Sequence, residues 1–109
     1  MEKSSATLPE QDREQIREIV LKGLRSMGLE GPCVRVFLFG SQLKGNAHMG
    51  SDVDVAVLSA RPLPTGTLSL VREHLEDSTV PQVVEVVDLG QTDVAFRNAV
   101  MREGQEWTV

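Results

Sequence analysis

Two short apolar runs stand so close together in this chain that they constrain the fold more than any other feature. Cys33 to Phe39 reads CVRVFLF and Val53 to Leu58 reads VDVAVL. Both are β-branched or aromatic stretches of strand length, and glycine bounds the first. The segment between them carries glycine, asparagine and serine and has too few residues for a crossover helix. A parallel pair needs such a crossover, so the two runs are expected to pair antiparallel.

The remaining elements follow from periodicity. Pro9 to Met27 has Ile16, Ile19, Val20 and Leu24 at helical spacing with charges between them, an amphipathic helix. Pro9 suits the first turn, and Glu10 and Asp12 lie where the helix dipole favours acids. Gly28 and Gly31-Pro32 end it. Arg61 to Gly66, with two prolines and a glycine, is loop. Leu68 to Leu75 places Leu68, Val71 and Leu75 on one helical face, and Val83 to Leu89 (VVEVVDL) reads as a third strand. Asp93 then caps a last helix with Ala95, Phe96, Ala99 and Val100 turned inward and Gly104 closing it. Trp107-Thr108-Val109 suggests a short edge strand. This order gives an α/β (α+β) layer, a small mixed sheet flanked by helices. Residues 1–109 are expected to form one domain, with 1–8 a flexible tail.

Composition narrows the function classes. A formal charge of −5, from 11 basic and 16 acidic residues, weighs against gripping nucleic acid through its phosphates. One cysteine, Cys33, excludes an internal disulfide and fits a reducing compartment. The polar start, Met1 to Gln15, has no apolar stretch to serve as a signal peptide. No run approaches the ~20 apolar residues that span a bilayer. A cytoplasmic protein is expected.

The chemistry concentrates in Phe39 to Ser59, FGSQLKGNAHMGSDVDVAVLS. Asp52 and Asp54 are two apart, so on a strand both carboxylates share a face. Like charges that close repel unless a cation lies between them, and Mg²⁺ takes one or two carboxylates together with phosphate oxygens. Gly40 permits a sharp turn and close backbone approach. Ser41 offers a hydroxyl and a backbone N–H at what reads as a helix start, a place suited to phosphate. Lys44 lies one turn on, within reach of the same anion, and Ser51 beside Asp52 completes the candidate nucleotide-binding set. In an antiparallel hairpin the phosphate turn and the metal pair are neighbours. Glu85, among four valines, is costly to bury without a partner. A third strand beside the second would make it a third carboxylate for a metal-assisted in-line displacement and for deprotonating an acceptor hydroxyl. Asp88, three residues on, points to the opposite face and reads as a strand-end or turn residue.

With Gly40-Ser41 followed by Asp52-Val53-Asp54 and an apolar strand, the chain resembles the minimal nucleotidyltransferase domains of the DNA polymerase β superfamily. The segment VEVVDLGQTDVAFRNAVMREGQEW is similar to their third strand, last helix and closing strand. The resemblance implies that Gly40 and Ser41 touch a triphosphate and that Asp52 and Asp54, with Glu85, bind metal. Such domains commonly have aspartate where this chain has Glu85, and a basic residue where it has Gln42. They are often encoded with a helical HEPN-domain partner as toxin–antitoxin pairs, the nucleotidyltransferase being the antitoxin. In some cases it transfers AMP from ATP to a tyrosine of the partner. A short chain leaves little room for an acceptor-binding domain, which agrees with a protein acceptor; the oligomeric state stays open.

Plainer readings stand beside these. Glu85 is also placed to pair structurally with Arg35 across the sheet. Cys33 reads as packing, and His48 and His74 as surface residues without metal-ligand spacing. Phe37, Phe39, Phe96 and Trp107 are core or partner-facing candidates. Two other functions remain open: a binding antitoxin that masks its toxin by contact with a vestigial nucleotide site, and a transferase for a small molecule such as an aminoglycoside, which would need a partner subunit.

Overall fold

The computed structural model describes residues 9–39 and 53–107. The flexible tail expected for residues 1–8 lies outside them, as do Thr108 and Val109. Helix α1 spans Glu10–Ser26, with Pro9 just ahead of it in an extended conformation and Glu10 and Asp12 in its first turn. It stops where Gly28 takes a φ of 79°, a left-handed conformation that only glycine adopts at little cost. Strand β1 is Val34–Phe39, β2 is Val53–Ser59 and β3 is Val84–Asp88. Helix α2, Thr67–Glu76, links β2 to β3. Helix α3, Val94–Glu103, leads into β4, Gln105–Trp107.

The sheet order is β3-β2-β1-β4. As the short connection required, β1 and β2 are antiparallel; β2 and β3 are parallel because α2 carries the chain back to the end where β2 began. The short β4 is antiparallel to β1, pairing with Val36 to Leu38. The result is the mixed sheet flanked by helices that the sequence pattern predicts.

Alternation along the strands divides the core in two. Val34 and Val36 of β1, Val53, Val55 and Val57 of β2, and Val86 of β3 face α1 and α2, where Ile16, Val20, Leu24, Val71 and Leu75 meet them. Gly23 lets the helices close up, since a Cβ there would stand 3.1 Å from a Val71 methyl carbon. The opposite face carries Phe37, Phe39 and Ala56 against Leu89 and Val100, with Phe96 and Met101 packed alongside. Helix α3 covers that face, capped by Asp93, whose carboxylate accepts the Phe96 N–H at 2.7 Å.

Three local expectations need correction. Cys33 is exposed in a tight 3-10 turn, Gly31–Cys33, one residue before β1 begins, so it does not pack in the core. Ala95 faces solvent, because α3 presents Phe96, Val100 and Met101 to the sheet and Ala95 falls outside that arc. Val83 lies just ahead of β3 with 57% of its surface exposed, while Leu89, at the other end of the run, is fully buried in a second 3-10 turn.

Candidate active site

The pairing of β2 with β3 decides where the carboxylates go. In that parallel register Asp54 lies opposite Glu85, and in the antiparallel register of β1 and β2 it lies opposite Phe39. Phe39, Asp54 and Glu85 therefore form one rung across three strands, on the face covered by α3. Neighbouring strands lie ~4.8 Å apart, so side chains on one rung are in reach of each other. Asp54 is buried, with 1% of its surface exposed, while Glu85 is half-buried at the outer strand.

This arrangement has a chemical reading. Two carboxylates on adjacent strands, one of them deeply buried and fixed by the sheet, are a hard-oxygen donor set of the kind that suits Mg²⁺. The half-buried Glu85 lies nearer solvent. Among the described residues no cluster of three or more His, Cys, Asp or Glu is placed to hold a metal. Asp52, the further carboxylate expected from the sequence, lies outside the described residues. So do Gly40, Ser41, Lys44, Ser51 and His48.

The alternative pairing of Glu85 with Arg35 does not occur. Strands β1 and β3 flank β2 on opposite sides, and Arg35 instead turns to β4. Its Nε and Nη donate to the two carboxylate oxygens of Glu106 at 2.9 and 3.1 Å, and its guanidinium lies 5.2 Å from the centre of the Phe37 ring. The hydrogen bond to Arg35 holds the Glu106 carboxyl below its ordinary pKa, and the same contact raises that of Arg35. Asp88 is on the face opposite Glu85 and accepts the Gly90 N–H at 2.9 Å, a turn role. His74 is exposed on α2.

Phe39 is the residue whose place beside Asp54 sequence reading missed. The antiparallel pairing was legible, but the register that sets Phe39 opposite Asp54 is not fixed by so long a connection. Its ring meets that of Phe96 edge-on, with centroids 5.7 Å apart and planes at 78°.

Residues 31–106 match the family described as Polymerase beta, Nucleotidyltransferase. The chain belongs to that family. A curated relative, the probable protein adenylyltransferase MntA of Haemophilus influenzae, is 32% identical over 71 residues. That match takes in 65% of this chain and 62% of the relative, so the chain spans less than two thirds of that protein's length. Among solved structures, a toxin–antitoxin complex with AMP-PNP aligns at 28% identity and a TM-score of 0.56, covering 85% of this chain and 73% of that one. A second, the MNT antitoxin with the tri-AMPylated HEPN toxin of Shewanella oneidensis, aligns at 24% identity and a TM-score of 0.57. It covers 88% of this chain and 72% of that one, and at that identity the likeness shows a shared fold. Among the described residues no helix is long and apolar enough to cross a membrane.

Proposed function

We propose that this family member is a protein adenylyltransferase that moves AMP from Mg-ATP to a hydroxyl of a HEPN-domain partner and so acts as its antitoxin. The observation that carries this reading is the Phe39–Asp54–Glu85 rung, which puts a buried and a half-buried carboxylate side by side in a nucleotidyltransferase domain. The relative named a probable protein adenylyltransferase and the toxin–antitoxin structure with AMP-PNP support the choice of nucleotide and acceptor. The single cysteine and the use of ATP suit a cytoplasmic setting.

Asp54 and Asp52 would hold Mg²⁺, with Glu85 beside them; when bound, the ion neutralises charge on the phosphates and orients them. Gly40 and Ser41, with Lys44 and Ser51, would hold the triphosphate. The acceptor oxygen attacks the α-phosphorus, the bond from that phosphorus to the bridging oxygen breaks, and pyrophosphate leaves. The Glu85 carboxylate takes the hydroxyl proton, which requires it to come within ~3 Å of the acceptor. Glutamate in place of the usual aspartate reaches one methylene further, so Glu85 governs how well this step is aligned.

Co-expression with the product of the neighbouring gene, followed by Mg-ATP and intact-mass measurement of that product, tests the reading. An AMP-sized gain that disappears in D52A/D54A is expected. Toxin neutralisation that persists in the double variant without any mass change would sink the enzyme reading in favour of masking by contact, the alternative that Glu85 favours. An Glu85→Asp variant is expected to transfer AMP at least as fast as the parent; a slower one would show that the site is built around the longer side chain.

A further inference from the structure

We propose that Phe96 is a positioning residue for nucleotide binding, holding the end of β1 in register beside Asp54 through its edge-on contact with Phe39. The proposal rests on the nucleotidyltransferase reading above and adds to it a residue on a helix with no carboxylate in the site. Three observations meet at this point. Phe39 is the last residue of β1, buried at 5% exposure, and its register partner on β2 is Asp54. On the other side of β1, the register of β4 covers Val36, Phe37 and Leu38 and stops one residue short of Phe39. Where β4 stops, α3 takes over, with the Phe96 ring meeting Phe39 at 5.7 Å and 78°.

A second attachment holds α3 against the same stretch of strand. A Cβ on Gly104, at the end of α3, would come within 2.7 Å of the Val100 carbonyl oxygen and 3.1 Å of that of Leu38. The helix is thus seated on β1 at both ends, by an aromatic edge at one and by the lack of a side chain at the other. Packed interiors leave little slack, so a shift of one seat is passed on to its neighbours. Phe39 has Asp54 as its lateral neighbour and Gly40 as its successor in the chain. Removing the Phe96 edge frees the Phe39 ring to turn, which changes the wall beside the carboxylate.

Calorimetric titration of Mg-ATP into Phe96→Ala, Phe96→Tyr and Val71→Ala, at a temperature where each is folded, tests this. Tyrosine keeps the ring edge, and its hydroxyl can reach water from this half-exposed position. Val71 lies in the core on the far face of the sheet and controls for lost stability. Phe96→Ala is expected to weaken Mg-ATP binding about tenfold and Phe96→Tyr by less than about twofold, whereas Val71→Ala lowers the melting temperature and binds as the parent does. Should Phe96→Ala fail to fold, Phe96→Leu keeps the bulk without the ring edge and is expected to fall between the two. Amide hydrogen exchange without nucleotide supplies an independent reading: Phe96→Ala should speed exchange at Phe39 and Asp54 and leave Val36 and Val57 protected. Parental affinity and parental exchange in Phe96→Ala would overturn the proposal, as would equal weakening in Val71→Ala. A parent that binds Mg-ATP without modifying its partner defeats the transfer reading alone; a parent that binds no nucleotide defeats both.

Discussion

The two faces of the sheet are built differently. The face toward α1 and α2 is almost wholly aliphatic, with valines from three strands meeting Ile16, Val20, Leu24 and Val71, all four fully buried. The face toward α3 has fewer and larger apolar groups, Phe37, Phe39 and Leu89, and shares its surface with Asp54 and Glu85. Two helices cover the first and one short helix covers the second. Each buried aliphatic side chain on the first face contributes roughly 1.5–3 kcal/mol. A buried carboxylate contributes nothing of the kind and costs desolvation. Stability is therefore concentrated on one face, and that surplus lets the other carry charge.

The sharpest break in this division is expected at Asp54. Asp54→Asn keeps shape and volume but removes the charge, and should lower AMP transfer about 10³-fold while the melt stays cooperative. Rate and thermal unfolding measured on one preparation check both halves. Leu24→Ala attacks the other face. It should cost about 2–5 kcal/mol in urea unfolding, with Mg-ATP affinity of the folded protein unchanged; weakened binding would mean that the faces are coupled.

Smaller effects sharpen the contrast at the margins. Asp93→Ala removes the side-chain acceptor from the Phe96 N–H and should cost about 1 kcal/mol, with some loss of nucleotide affinity because Phe96 sits in that first turn. Glu106→Gln should cost only a few tenths of a kcal/mol, since both partners of the Arg35 pair are 43% exposed and water screens them. Its sign with pH is definite. The Glu106 carboxyl is held below its ordinary value in the folded state. Its contribution is present above that ordinary value and is lost as pH falls through the lower folded one. Urea titrations at a pH below the ordinary carboxylate range and at neutral pH should differ slightly more in the parent than in Glu106→Gln.

Much of this was legible beforehand because local patterns and fold agree. The helices show in the spacing of Ile16, Val20 and Leu24 and of Val71 and Leu75, and the three main strands in their β-branched runs. The β1–β2 pairing follows from a connection too short for anything else. Arg35 shows the limit: its partner Glu106 is 71 residues away in sequence, and only the attachment of β4 to β1 brings them together. The place of Cys33 is not legible, because an apolar run does not reveal whether its first residue belongs to the strand or to the turn before it. The exposure of Ala95 is not legible either, because alanine marks no helical face by itself. As for the site, Asp54 and Glu85 were both named from sequence, but that they share a rung is a matter of register between strands joined by a helix.

That register divides the chain into places that tolerate length changes and places that do not. The connection from Ala60 to Gly66 lies between β2 and α2, away from either carboxylate, and residues gained or lost there leave the rung as it is. One residue gained or lost within β3 would swing Glu85 to the aliphatic side and bring a valine opposite Asp54. Descendants of this sequence are thus free to remodel the outside of the crossover, while the few residues from Val84 to Val86 are locked to their count.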